Sequence, residues 1–97
     1  MRLTVAERCA IVEEIRRKAP DAAIYLYGSR TDDQLRGGDI DLLAIATGCE
    51  WRDKIDILLA IKARIGEQRI DLNLMTPEQA AENAFVQSVL PRALPLD

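Results

Sequence analysis

Asp39 and Asp41 stand two residues apart in the run Gly37-Gly38-Asp39-Ile40-Asp41-Leu42, and a third aspartate lies in Ile70-Asp71-Leu72-Asn73-Leu74. Side chains of an extended strand alternate between faces, so Asp39 and Asp41 project to one side while Ile40 and Leu42 point to the other. Two adjacent carboxylates repel unless a cation sits between them. Magnesium suits that place, because it binds through one or two carboxylates together with phosphate oxygens and water. Asp71 has the same parity on a neighbouring strand. Shared carboxylates of this kind can hold two ions, one on a leaving diphosphate and one at an incoming hydroxyl. In that scheme Asp39 and Asp41 serve both ions and Asp71 serves the ion at the acceptor.

The phosphate side of such chemistry has its own candidates. Gly28-Ser29 directly follows the apolar run 22–27. A glycine there lets backbone N–H groups approach a phosphate, and a serine hydroxyl adds a hydrogen bond. A helical turn opening at Ser29 would favour the anion further through its dipole. Arg30 adjoins this step and is the cation expected to neutralise a triphosphate, whereas Arg36 reads as structural or solvated. Taken singly, the acids could be solvent-facing strand residues and Gly28-Ser29 a plain tight turn. Their joint occurrence at matching parity favours a nucleotide site.

These residues need strands to hold them and helices to cover the strands. Thr4 and Glu7 have capping-box spacing at the start of a helix over 5–18. That helix is expected to bury Val5, Ile11, Val12, Ile15 and Ala19 and to expose Glu13, Glu14 and Arg17. Pro20-Asp21 ends it, and 22–27 reads as a buried strand closing at Gly28. Residues 29–38 form a polar loop that delivers the chain into a second strand over 39–46. A second helix is predicted over 51–65, with Trp51, Ile55, Leu58, Leu59, Ile61 and Ile65 as its apolar arc and Gly66 as its stop. The strictly alternating stretch 70–74 is a third strand. Thr76, Pro77 and Gln79 open a third helix over 77–90, and Pro91 and Pro95 close the tail. The expected fold is α/β of the α+β kind: a small mixed sheet with helices mainly on one face and the other face partly free for chemistry.

Leu26-Tyr27-Gly28-Ser29-Arg30, then Gly37-Gly38-Asp39-Ile40-Asp41-Leu42, then Arg69-Ile70-Asp71-Leu72 together resemble the nucleotidyltransferase superfamily related to DNA polymerase beta. The likeness is closest to its minimal, stand-alone (MNT) members and runs from about residue 4 to residue 90 in element order. Minimal members often carry a second arginine shortly after Gly-Ser-Arg, where this chain has Asp32-Asp33. The resemblance implies a nucleotidyltransferase fold, with Gly28, Ser29 and Arg30 on the nucleotide and two magnesium ions on Asp39, Asp41 and Asp71. It further implies a protein adenylyltransferase that moves AMP from ATP to a tyrosine hydroxyl of a helical HEPN toxin, as the antitoxin of a two-gene system. The alternative from another class is a non-catalytic antitoxin that neutralises its partner by binding.

Size and composition narrow these readings. The 97 residues suffice for one domain, with no room for a separate acceptor-recognition domain. Template-directed polymerisation and antibiotic modification are disfavoured for that reason. A net charge of −3 and a sequence pI near 4.9 argue against unaided binding of long nucleic acid. No apolar run is long enough for a membrane span and no secretion signal is evident, so the expected location is the cytoplasm. Cys9 and Cys49 lack metal-ligand spacing, the chain has no histidine, and both cysteines read as reduced thiols. An apolar surface around Phe85, Val86, Val89 and Leu90 is expected to be completed by another chain, in a homo- or hetero-oligomer.

Overall fold

The computed structural model describes residues 2–31 and 38–96. The chain opens with helix α1 (Val5–Lys18), then strand β1 (Ala23–Tyr27) and a 3-10 turn (Gly28–Thr31). Strand β2 (Ile40–Ile45), helix α2 (Trp51–Ile65) and strand β3 (Ile70–Met75) follow, then short helices α3 (Pro77–Glu82) and α4 (Ala84–Val89). A final strand, β4 (Leu94–Pro95), closes the described chain. The sheet order is β3-β2-β1-β4. β1 runs antiparallel to both neighbours, while β2 and β3 are parallel, the pairing that the α2 crossover makes possible.

The helix starts are written locally. Thr4 Oγ1 accepts from the Glu7 N–H at 3.0 Å and the Glu7 carboxylate accepts from the Thr4 N–H at 2.8 Å. Thr76 and Gln79 repeat that exchange at 3.1 and 2.9 Å ahead of α3. Gly66, at φ +90°, stops α2 as expected.

Alternation splits the sheet into two unlike faces. Ile24, Leu26, Ile40, Leu42, Ala44 and Leu72 point to one side and form the main core with Ile11 and Ile15 of α1 and Ile57 and Ile61 of α2. The two long helices thus cover one face. On the opposite face Tyr27 and Leu43 pack with Ala80 and Val86 under α3 and α4. Those short helices cover only part of that face, so the acids keep access to solvent.

Several expectations fail here for identifiable reasons. Ala22 precedes the first strand, and β2 starts at Ile40, so Asp39 lies immediately before the strand instead of within it. Val5 is 81% exposed, because the six-residue step from it to the buried Ile11 carries it about 120° around α1 from the face that packs on the sheet. Glu14 is buried, its carboxylate held by Arg64 at 3.0 Å and by Arg17 at 3.2 Å. A buried carboxylate requires such partners, and Arg64 arrives from the neighbouring helix α2. On α2 the arc is rotated from the expected one: Ile57 and Ile61 are fully buried, while Trp51, Ile55 and Leu59 are exposed. The third helix divides at Asn83, whose extended backbone ends α3 and whose side chain accepts from the Val86 N–H at 3.1 Å to open α4. Val86 accordingly belongs to the core, Val89 and Leu90 pack half-buried on it, and Phe85 alone of that group stands exposed. β4 was not expected at all. A two-residue strand carries no periodicity of its own.

Candidate functional site

The register of the sheet assembles the site. Tyr27 of β1 lies opposite Asp41 of β2, and Asp41 lies opposite Asp71 of β3. These three residues form one row across adjacent strands, about 4.8 Å apart per strand. The next row on that face holds Tyr25, Leu43 and Asn73. Asp39 stands two residues before Asp41, half-exposed, and its charge is felt at Asp41.

Asp41 is the central acid. Its carboxyl is pushed above the ordinary carboxylate range first by burial, then by the charges of Asp71 and Asp39. The three acids predicted from spacing therefore share one electrostatic neighbourhood. Among the described residues no three acid, cysteine or histidine side chains already close into a metal cage. The like charges of Asp39 and Asp71 acting on Asp41 suit the group to divalent cations, which supply the missing positive charge.

Gly28 ends β1 directly beside this row with φ +78°. A Cβ placed on it would overlap the Asp41 carboxylate, lying 3.2 Å from Cγ and 3.4 Å from Cβ of that residue. The glycine is therefore required twice, by its left-handed backbone and by the acid that lies over it. The following turn is held by the Thr31 hydroxyl, which donates to the Gly28 carbonyl at 2.7 Å. Ser29 lies in this turn, so a helical turn does follow the strand. The Ser29 hydroxyl lies outside what is described. Residues 32–37, with Asp32, Asp33, Arg36 and Gly37, also lie outside the described residues.

Arg30 occupies an unexpected position. Its Nη1 donates to the Arg2 carbonyl at 2.9 Å and its Nε reaches the Gly38 carbonyl at 3.4 Å. The Arg2 N–H returns a bond to the Arg30 carbonyl at 2.8 Å. The guanidinium thus bridges the segment before α1 and the residue preceding Asp39.

Two further residues join the site. Asn73 Nδ2 donates to the Tyr27 hydroxyl at 2.8 Å, across the row that contains Leu43. Burial raises the Tyr27 phenol above its ordinary range, Asp71 and Asp41 raise it further, and the Asn73 bond opposes them. Asn73 was legible as sharing the parity of Asp71. The role of Tyr27 beside the acids was not, because an aromatic residue before a glycine reads simply as core.

Comparison with known proteins bears on the family and the fold. The family model described as "Nucleotidyltransferase domain" matches residues 8–79. Two solved structures share the fold, each at 19% sequence identity. One is a mutant of the toxin–antitoxin complex MntA–HpeT, matched with a TM-score of 0.64 over 93% of this chain and 71% of that one. The other is the complex of a tri-AMPylated HEPN toxin from Shewanella oneidensis with its MNT antitoxin, with a TM-score of 0.60 over 94% of this chain and 69% of that one. No curated protein matches the sequence. Among the described residues no helix is long and apolar enough to cross a membrane.

Proposed function

Because this chain belongs to the nucleotidyltransferase domain family, we propose that it transfers AMP from ATP to a protein hydroxyl, a tyrosine of a helical HEPN-type partner, and so serves as an antitoxin. The observation that carries this reading is the row formed by Asp41 and Asp71, with Asp39 adjoining and Gly28 folded against Asp41. Gly28 and Ser29 receive the triphosphate, and Asp39, Asp41 and Asp71 hold the divalent ions. Magnesium, when bound, neutralises the phosphates and activates the incoming hydroxyl.

The reaction is one displacement. The acceptor oxygen bonds to the α-phosphorus, the bond from that phosphorus to the bridging oxygen of the β-phosphate breaks, and pyrophosphate leaves with the electron pair. Asp71 is the acid assigned to the acceptor side, where the proton of the attacking hydroxyl must go. Asp41, raised by burial and by its neighbours, shares the ions with Asp39. The likeness to complexes of HEPN toxins with MNT antitoxins supports a helical partner.

A second reading has an observation of its own. The Arg30 guanidinium is engaged by the Arg2 and Gly38 carbonyls, and Asp32-Asp33 stands where minimal members often have an arginine. Both favour a weaker triphosphate grip and a partner neutralised by binding alone. The two readings separate when the protein, magnesium, α-labelled ATP and the product of the adjacent gene are combined. Label on the partner that is lost with Asp39→Asn, at unchanged circular dichroism, establishes transfer. A tight unlabelled complex that survives the double substitution of Asp39 and Asp41 establishes binding.

A further inference from the structure

The proposed reaction needs a seat for the acceptor, and neither the motif residues nor the comparisons assign one. The face that carries Asp71 continues along β3 to Asn73 and sideways to Tyr27. Tyr27 is only 9% exposed, yet its hydroxyl has a single described partner, the Asn73 amide at 2.8 Å. That bond is donated to the phenol oxygen, so the phenol proton is still available to a ligand. The Asn73 carbonyl oxygen accepts no described bond either.

Beside this polar pair stands an aromatic ring that the core does not need. Phe85 meets the Tyr27 ring edge-on, with centroids 5.5 Å apart and planes at 76°. Phe85 is 47% exposed, in contrast to Val86, its neighbour in sequence, which is fully buried. Exposed ring, hydroxyl and amide run from Phe85 through Tyr27 to Asn73, and Asp71 lies two residues from Asn73 on the same face of β3, with Asp41 between Tyr27 and Asp71 in the row. The arrangement offers an apolar aromatic face at one end and hydrogen-bonding groups at the other, with the acid beyond them.

We infer that Asn73, Tyr27 and Phe85 form an acceptor subsite for a phenol, the side chain of a tyrosine. This inference rests on the proposed transfer to a hydroxyl and adds the residues of this chain that select an aromatic one. The acceptor ring packs on Phe85 and its oxygen lies toward Asp71, while the Tyr27 proton and the Asn73 carbonyl engage the polar groups around it. A serine or threonine hydroxyl on a short aliphatic stem gains nothing from the ring. Aromatic pairing contributes enough beyond simple burial to give a discrimination of about threefold to tenfold from Phe85 alone.

The experiment uses N-acetyl-tyrosinamide and N-acetyl-serinamide as probes, added to the whole protein with magnesium and a non-hydrolysable ATP analogue and followed by NMR. The tyrosine probe is expected to shift the Phe85 and Tyr27 ring resonances, with the serine probe producing no such shift at equal concentration. Phe85→Ala is expected to weaken binding of the tyrosine probe about fivefold and to leave affinity for the ATP analogue unchanged. Tyr27→Phe keeps the ring against Phe85, guarding against a folding artefact, and is expected to lose only the hydrogen-bond contribution. Equal shifts from both probes, or undiminished binding to Phe85→Ala, would overturn the subsite. Selective binding of the tyrosine probe without any AMP transfer to a partner would leave the subsite standing and remove the proposed reaction. Transfer to a partner at a wild-type rate by Phe85→Ala would do the reverse.

Discussion

Gly28→Ala separates the two demands placed on one glycine. The backbone there has φ +78°, and an L-residue forced into the left-handed region loses about 1–2 kcal/mol. In a domain of this size each kcal/mol lowers Tm by about 4–8 °C. The new methyl group also meets the Asp41 carboxylate, with Cγ 3.2 Å away. The cheapest relief is rotation of that short side chain, which costs little stability but moves the central acid of the site. A displacement of about 1 Å at a reacting centre is enough to lower the rate about a hundredfold. Gly48 supplies the control, since its φ is +74° and a Cβ there meets nothing within 4 Å. Gly28→Ala and Gly48→Ala should therefore show similar falls in Tm by differential scanning fluorimetry. Only Gly28→Ala should lose AMP transfer from α-labelled ATP and the thermal stabilisation produced by magnesium with ATP. If the two variants transfer AMP equally well, the Gly28–Asp41 contact does not position the acid and the reasoning fails.

Three stability predictions accompany it. Asp41 has a folded-state pKa raised above its ordinary value, so the unfolded chain gives up this proton first as pH rises. The stability linked to Asp41 is present below the ordinary carboxylate range and is lost as pH climbs through the raised value. Asp41→Asn should thus raise Tm at pH 7, with the advantage vanishing in acid below that range; an advantage independent of pH would refute the charge as its source. Glu14→Ala removes a nearly buried carboxylate that accepts from Arg64 and Arg17, while Arg64 keeps its pairing with Glu13, and should cost about 0.5–1.5 kcal/mol in urea denaturation. Glu13, whose side chain is 58% exposed in its contact with Arg64, should cost less than about 0.5 kcal/mol when replaced by alanine.

The residues of the candidate site were legible from spacing because their placement follows local rules. The two-residue period of a strand places Asp71 with Asn73, the spacing of two puts Asp39 just ahead of Asp41, and glycine at Gly28 announces a backbone that other residues avoid. The capping pairs Thr4–Glu7 and Thr76–Gln79 marked helix starts in the same way, through contacts three residues apart. What lay beyond the sequence depends on distant partners. The burial of Glu14 was invisible until α2 brought Arg64 to it, and the rotation of the α2 arc toward Ile57 and Ile61 was set by where α1 and the sheet lie. The engagement of Arg30 with Arg2 and Gly38, and of Tyr27 with Asn73 across 46 positions, likewise required the closed sheet. Sequence alone determined which groups could do chemistry and which strands would carry them, because periodicity and glycine preference act within a few residues. Only the tertiary structure decided which strands became neighbours and in what register, because that choice is made by burial of the whole core, and it alone put Tyr27, Asp41 and Asp71 in one row.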